Sequence, residues 1–378
     1  MIPIEYEPSV EDARVVIGID FGTTFSGFSF AYIKPEKEKI EIVVNDNWLG
    51  IKGPMKTNTV LQYDEDYEDV IAWGAKALAG EPSKKAKNNQ PRPVIKDEIK
   101  RYWSNIDFNH HVRIIVTVPS GFSEKTKSIM RQCLFDAGLI KRIGILSLQF
   151  TTEPEAAAIH CMSILKEHGL STGAKYLIVD CGGGTVDLTV RKLLPDNKLG
   201  ETTMRVKQAF EHKIKVAVPP RPVIAVVSGA CEYGLDTKAV STRVLKWTYG
   251  VLISPEWQPG DPPSRKDSNG RIDKFCLMAE KEVQVDVDKE FSKRLYPIFP
   301  NQTSISFPIY YTSKYSATYC DEPEMNFLGK FNVDLPDVHL GTNRPVMLTL
   351  HFGSMEIFLK ATNETNSKVY RTTFCSTE

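Results

Sequence analysis

The chain has 378 residues, of which 42% are hydrophobic and 25% are charged, and its basic and acidic residues balance to a formal net charge of zero. This composition is typical of a globular chain long enough for two or three domains. A net charge of zero gives no reason to expect a nucleic acid or an anionic membrane as a partner. No apolar run in the sequence approaches the ~20 residues that span a bilayer.

The cysteines and the first residues indicate the cellular compartment. Seven cysteines are present, without Cys-x-x-Cys spacing, which favours reduced, mostly packed thiols in a cytoplasmic protein. Residues 1–13 carry acids and lack an apolar signal core, so we expect a loose tail rather than a secretory leader. Cys181, beside a glycine run, is either a reactive thiol or, as we prefer, a packed strand residue.

The first predicted element is a strand, 15–19, that leads into Asp20 and a glycine-containing turn. A second strand-like run, 27–33, follows the turn. Glycine tolerates φ angles that let such a turn expose several backbone N–H groups, and these groups form a concave site for phosphate. The predicted phosphate-contacting residues are Gly22, Thr23, Thr24 and Phe25.

The middle of the chain supplies two further candidates. Residues 81–93 read as a polar loop whose lysines either approach a phosphate or, as we prefer, are solvated. A buried strand, 112–119, precedes a helix, 123–137, with Ser123 as its N-cap. A strand, 145–150, and a helix that begins at Pro154 then place Glu153 at the tip between them. The alternative for Glu153 is an ordinary first-turn acid that complements the helix dipole.

The second glycine turn lies in YLIVDCGGGTVDLTV, residues 176–190. Its candidate residues are Asp180, Gly182, Gly183, Gly184, Thr185 and Asp187. Two carboxylates beside a phosphate site suit Mg²⁺ and its water shell, whereas the plain alternative is a hairpin with a bulge. Because this pattern repeats the one at Gly22 after 160 residues, we predict two similar lobes that each present one phosphate loop.

The last third of the chain changes character. A buried strand, 223–227, is predicted to end at Ser228-Gly229-Ala230, and a helix is predicted from Glu232 to Thr248. Residues 253–270 are rich in proline, glycine and charge, which predicts a linker or a loop. From residue 275 onward, short strands separated by turn residues indicate a β-sandwich.

These motifs together resemble the actin, sugar kinase and Hsp70 superfamily. The strand ending in Thr117-Val118-Pro119, followed by TEPEAAA at 152–158, narrows the resemblance to the Hsp70-like family. GLDTKAVSTRVLKWTYGV resembles the divergent Hsp70-12-type branch. The resemblance implies an α/β two-lobed actin-like ATPase domain with ribonuclease H-like lobes, the second lobe truncated, followed by an all-β sandwich. The implied bounds are 14–172, 173–252, a linker at 253–270, and 271–378.

The resemblance also implies cofactors and residue roles. ATP and Mg²⁺ are the expected cofactors, with Asp20 and Asp180 holding the hydrated metal. Glu153, Asp180, Thr185 and Asp187 would act in hydrolysis, while Gly229 and Ala230 would lie beside the sugar and α-phosphate. The expected partners are unfolded client polypeptides and co-chaperones. Ile305, Phe307 and Ile309 are candidates for a client groove, although their alternation favours the core.

Two departures from the family leave the activity open. Only 45 residues separate Gly184 from Gly229, where intact members carry the much longer segment that clamps adenine. The catalytic lysine of the family has no clear counterpart, since Lys76, Lys84 and Lys85 are only nearby. We therefore expect either a chaperone that binds ATP with impaired hydrolysis, or a pseudo-ATPase scaffold. A sugar or glycerol kinase is disfavoured, because a C-terminal sandwich has no place in that mechanism.

Overall fold

The computed structural model describes residues 12–34, 40–48, 51–78, 94–167, 169–182, 186–195, 198–201, 219–353 and 355–373. It divides into two compact units, Met1–Ser123 with Ile129–Val240, and Glu124–Ser128 with Ser241–Glu378. The boundary near residue 240 therefore falls before the predicted linker. Every helix within the described ranges is too short or too polar to cross a bilayer.

The first unit is a mixed α/β structure. Its strands are β1 Val15–Phe21, β2 Phe25–Tyr32, β3 Val43–Val44, β4 Asn47–Trp48, β5 Ile51–Lys52, β6 Thr57–Asn58, β7 Leu61–Tyr63, β8 Val70–Trp73, β9 Val112–Val118, β10 Leu148–Thr152, β11 Lys175–Cys181, β12 Val186–Leu193 and β13 Leu199–Glu201. Its helices are α1 Ala75–Leu78, α2 Val94–Tyr102, α3 Phe108–His111, α4 Glu124–Asp136 (whose residues 124–128 group with the second unit), α5 Glu153–Glu167 and α6 Ala225–Leu235.

The main sheet of this unit has the strand order β10-β9-β1-β2-β3, with β6 also paired to β2. Strands β1, β9 and β10 are parallel, whereas β1 and β2 form an antiparallel hairpin. Val15, Val16 and Ile17 are fully buried at its centre, as expected for an apolar strand covered on both faces. Because parallel strands end at one edge, the residues that follow β1, β9 and β10 share that edge, where ligands of open α/β sheets bind.

Helix α6 differs from the sequence prediction. The predicted strand 223–227 and helix Glu232–Thr248 are wrong, because a 3-10 turn at Pro222–Ile224 leads into α6, which ends at Leu235. Two strands follow where the helix was expected, β14 Val240–Val244 and β15 Thr248–Ile253. A short buried apolar run cannot be assigned to strand or helix by its periodicity alone.

Close packing explains the small residues of α5 and α6. A Cβ atom added to Gly229 would lie 1.8 Å from the carbonyl oxygen of Ala156 in α5. One added to Gly18 in β1 would lie 2.7 Å from the carbonyl oxygen of Val227 in α6. Ser29 of β2 also donates a buried hydrogen bond to the Val227 oxygen at 2.8 Å. Helix α6 thus packs against both α5 and the main sheet at backbone contact.

A second sheet of the first unit contains the other glycine turn. Strand β11 pairs with β12 in antiparallel register, and β12 pairs with β13. Helix α5 connects β10 to this sheet in the chain order. The unit therefore has two β-hairpins, β1–β2 and β11–β12, that each carry an Asp before the turn.

The second unit consists mainly of strands in its described residues. They are β14, β15, β16 Lys274–Ala279, β17 Gln284–Asp286, β18 Glu290–Leu295, β19 Ser304–Thr312, β20 Met325–Asp334, β21 Val346–His351, β22 Phe358–Asn363 and β23 Val369–Thr373. Two four-stranded antiparallel sheets have the orders β16-β15-β19-β20 and β18-β21-β22-β23, and β14 pairs with β17. One hydrophobic core contains residues of both four-stranded sheets, including Phe307, Ile309, Leu348 and Leu350.

For two segments of this unit the structure decides between the predicted alternatives. The stretch 253–270, predicted as a linker or a loop, belongs to the loop between the paired strands β15 and β16, in which Asp261 binds Lys274 of β16 at 2.6 Å. Ile305, Phe307 and Ile309 are 8%, 2% and 0% exposed and belong to the core. They are therefore not available to line a client groove.

Candidate functional site

The turn between β1 and β2 is supported by the short strand β6. The Thr59 hydroxyl donates to the carbonyl oxygen of Gly22 at 2.7 Å, and the Thr59 N–H donates to that of Thr24 at 2.9 Å. A Cβ atom at Gly22 would lie 2.6 Å from the carbonyl oxygen of Phe25, so the turn requires glycine there. Thr23, Thr24 and Phe25 are exposed. The predicted turn is thus formed, and Thr59 donates hydrogen bonds to two of its carbonyl oxygens.

Asp20 is the buried carboxylate of this site. It lies beside Thr117 in the parallel register of β1 and β9, and it is 4% exposed. The Thr117 hydroxyl donates to Asp20 Oδ1 at 3.1 Å, and the ammonium of Lys56 lies 2.5 Å from Asp20 Oδ2. A buried carboxylate requires such partners, because burial without them disfavours the charged form.

Lys56 is a residue that the sequence reasoning missed. It directly precedes β6, whose pairing with β2 brings it to the turn. Its aliphatic stem lies on Gly27, where an added Cβ atom would be 2.9 Å from Lys56 Cγ. The lysines named from the sequence were Lys76, Lys84 and Lys85 instead. Lys84 and Lys85 lie outside the described residues, and Lys76 lies in α1. The neighbouring sequence carried no signal that marked Lys56.

Glu153 lies at the same edge of the main sheet. Strand β10 ends at Thr152, which pairs with Val118 of β9, and Glu153 is the first residue of α5. The Thr152 hydroxyl accepts the N–H of Glu155 at 3.2 Å and so caps the helix. Glu153 thus lies between strand and helix, as the sequence predicted, and its catalytic role stays a prediction.

Glu155 is the second residue that the sequence reasoning missed. Its side chain is fully buried, accepts the Thr151 hydroxyl at 2.9 Å, and lies 3.4 Å from the guanidinium of Arg191 in β12. The Arg191 side chain is also almost completely buried. This ion pair joins the first turn of α5 to the strand that follows the second glycine turn.

The second hairpin places two predicted carboxylate residues opposite each other. Asp180 in β11 and Asp187 in β12 are direct partners in the register, and Asp180 is half-buried. Gly182 is exposed, while Gly183, Gly184 and Thr185 lie outside the described residues. Cys181 is exposed, so the prediction of a packed strand thiol is wrong there. In contrast, burial raises the pKa of the Cys231 thiol in α6 to about 12.

The structure removes the basis for two predicted nucleotide contacts. Gly229 and Ala230 were expected in a turn after a strand, with exposed backbone beside the sugar and α-phosphate. Both lie inside α6 and are buried, and Gly229 contacts the backbone of α5. Their backbone N–H groups belong to a helix interior, so the expected turn is absent from these described residues.

The Asp20 cluster tests whether the predicted magnesium ion fits. Both carboxylate oxygens of Asp20 already have partners, an ammonium and a hydroxyl. The ammonium of Lys56 at Oδ2 would repel a divalent cation at the same carboxylate, so this arrangement does not fit Mg²⁺ at Asp20. A phosphate group fits better, since a lysine ammonium, a tight glycine turn and two exposed threonines lie together.

Comparisons with known proteins agree with the predicted resemblance. No family model matches the chain. Human heat shock 70 kDa protein 12A is 25% identical over 50% of this chain and 42% of its own length. The mouse protein 12A is 26% identical over the same shares, and human heat shock 70 kDa protein 12B is 23% identical over 49% of this chain and 41% of its own length. The chain spans less than half the length of these relatives.

One solved structure has a weaker likeness. The Aquifex aeolicus Ppx/GppA phosphatase, in the crystal structure of its type II variant, is 13% identical over 48% of this chain and 53% of its own length, with a TM-score of 0.22. That score supports no conclusion.

Proposed function

We propose that this chain, a relative of the divergent Hsp70-12-like branch of the Hsp70 family, binds the phosphate chain of ATP at the β1–β2 turn. The observation that carries the proposal is the cluster of Asp20, Lys56 and Thr117 beneath that turn. It lies at the edge where β1, β9 and β10 end, which is where open α/β sheets bind ligands.

Hydrolysis at this site is expected to be slow or absent. Phosphoryl transfer depends on an in-line water and on charges that stabilise the transferring group. Glu153 lies at the start of α5, where the family resemblance implies that it orients a water, but Lys56 is held by Asp20. These contacts favour a site that binds nucleotide over one that hydrolyses it rapidly. The alternative is a pseudo-ATPase scaffold that has lost nucleotide cycling.

Titration calorimetry of the full chain with Mg-ATP tests the proposal. We expect heat at millimolar nucleotide, which corresponds to a binding free energy of about −4 kcal/mol. Gly22→Ala should strongly reduce the heat, because the added Cβ atom would lie 2.6 Å from the carbonyl oxygen of Phe25 and distort the turn. Gly121→Ala, where an added Cβ atom meets no atom within 4 Å, is the matched control. Absence of heat with the unmodified chain would contradict nucleotide binding and favour the scaffold.

Alkylation gives a second readout in the same samples. Cys181 is exposed directly before Gly182, and Cys133 is exposed in α4. Bound nucleotide should slow iodoacetamide labelling of Cys181 and leave Cys133 unchanged. Equal labelling of both thiols with and without ATP would place any bound nucleotide away from the second turn.

A second candidate function is the binding of apolar segments of client proteins by the second unit. It is favoured by a row of side chains across the sheet β16-β15-β19-β20, where Leu277 pairs with Gly250, Gly250 with Tyr310, and Tyr310 with Phe327. Residues directly opposite each other share a face. Leu277 and Phe327 are 43% and 55% exposed. The ring of Phe275 covers Gly250, where an added Cβ atom would lie 2.4 Å from that ring, so the row forms a flat apolar face on which an extended apolar peptide can bind.

Replacing Phe327 with serine is expected to weaken suppression of client aggregation. The change removes an exposed ring that contacts Tyr310 at a centroid distance of 5.4 Å, and so removes apolar area from the row. Light scattering of a heat-denatured client measures the effect. Val338→Ser, at another exposed apolar residue, is the control. Equal suppression by both variants would exclude this face as the client site.

A further inference from the structure

We propose that Lys56 takes the place of the divalent metal at this site, so that the phosphate chain binds without Mg²⁺. The inference rests on the proposed function and specifies its chemistry. Its basis is the direct contact of the Lys56 ammonium with Asp20 Oδ2 at 2.5 Å, at the carboxylate from which a metal site was expected.

Strand pairing fixes the position of Lys56. Lys56 lies next to β6, which pairs with β2 at Phe25 and Ser26 on the far side of the turn. The stem of the lysine crosses Gly27, the residue opposite Asp20 in the β1–β2 register. Its side chain is 15% exposed and that of Asp20 is 6% exposed. A long side chain that is held this closely loses rotamer freedom, which its contacts must offset.

Lys56 places a positively charged donor group where the metal was expected. Asp20 carries one negative charge and Lys56 carries one positive charge, so the pair is neutral before any ligand arrives. An ammonium has three donors. One is directed at Asp20, which leaves further donor capacity for a phosphate oxygen at the turn. In this arrangement Asp20 orients the lysine, and the lysine binds the phosphate.

A plain structural role is the alternative. A buried carboxylate at a strand end is stabilised by an ammonium whether or not a ligand binds. The two roles differ in one measurable respect. A lysine that only stabilises the fold leaves the metal dependence of binding unchanged, whereas a lysine that replaces the metal makes binding independent of it.

The experiment measures binding of ATP and of inorganic tripolyphosphate to the full chain, in excess Mg²⁺ and in EDTA. We expect the two dissociation constants for each ligand to differ by less than tenfold, because the ammonium of Lys56, and not a metal ion, contacts the phosphate. A tenfold or larger loss of affinity in EDTA overturns the inference and leaves the proposed function intact. Absence of binding in both conditions contradicts the proposed function itself.

Variants of Lys56 then test whether this lysine binds the phosphate or only stabilises the fold. Lys56→Met should weaken binding in EDTA by about 10- to 100-fold, the range expected for one charge-assisted hydrogen bond. Lys56→Arg, which keeps the charge, should retain binding within about tenfold. The control is Lys52→Met in β5, where the lysine is exposed. Unchanged affinity of folded Lys56→Met in EDTA, or loss of binding in Lys56→Arg equal to that in Lys56→Met, overturns the inference.

Asp20→Asn gives opposite predictions for the two roles of the carboxylate. If Asp20 orients Lys56, the amide keeps an oxygen for the ammonium and removes a negative charge, so binding in EDTA should be at least as tight as in the unmodified chain. If Asp20 holds a metal, binding in Mg²⁺ should be lost. Thermal unfolding of each variant confirms that the measured samples are folded.

Discussion

Replacing Gly229 with alanine is expected to lower the free energy of unfolding of the first unit by about 3 kcal/mol or more, the upper range for overpacked cores. The added Cβ atom would lie 1.8 Å from the Ala156 oxygen and 2.5 Å from its carbonyl carbon. Both are backbone atoms, so no side chain can rotate away. The helices α5 and α6 would have to separate, and α6 also packs against β1.

Urea denaturation followed by tryptophan fluorescence measures this effect, because Trp48, Trp73 and Trp103 lie in the first unit. Gly144→Ala is the matched control, since a Cβ atom there meets no atom within 4 Å. We expect the control to change the free energy by less than about 1 kcal/mol, the normal range for a surface substitution. Equal effects of both substitutions would show that the helices are not in backbone contact.

Replacing Arg344 with methionine is expected to destabilise the second unit by about 4 kcal/mol, because several buried carbonyls lose their donor at once. Arg344 is fully buried. Its guanidinium donates to the carbonyl oxygens of Gly341, Pro300, Gln302 and Leu335 at 2.7, 2.9, 2.6 and 3.0 Å. These carbonyls belong to three segments that the one side chain joins.

Differential scanning calorimetry of the full chain measures the prediction as a lower melting temperature of one transition. Arg371→Met in β23, where the side chain is exposed, is the control. Arg344→Lys should be almost as unstable as Arg344→Met, because one ammonium group cannot donate to all four carbonyls that the planar guanidinium reaches. Full rescue by Arg344→Lys would mean that charge alone, and not the hydrogen-bond geometry, stabilises the loops.

Local patterns predicted the elements around the site. The apolar run before Asp20, the glycine after it and the second run gave the β1–β2 hairpin, since each signal lies within about ten residues. The start of α5 was predicted at Pro154, one residue after its observed start at Glu153, because a proline suits the first turn of a helix. Short strands were likewise predicted from residue 275 onward, and strands β16 to β23 occupy this part of the chain.

Contacts between distant residues were not predictable in this way. Lys56 reaches Asp20 through the pairing of β6 with β2, across 36 positions of the sequence. Nothing in the residues next to Lys56 distinguishes it from a solvated lysine. Glu155 was overlooked in favour of Glu153 because both acids lie in the first turn of the same helix, and only the ion pair with Arg191 of β12 distinguishes Glu155. Helix α6 was missed because buried glycine and alanine are ambiguous until their helix partner is known.

The first turn of α5 has a mechanical consequence. Glu153 lies at the ends of the parallel strands, and Glu155, two residues later, binds Arg191 of the second sheet. A helical turn is stiff, with successive residues rotated by about 100°. We therefore expect a displacement of β12 that moves Arg191 to move the first turn of α5, including Glu153, along with it. One residue inserted between the two acids would rotate one of them away from the sheet that it faces.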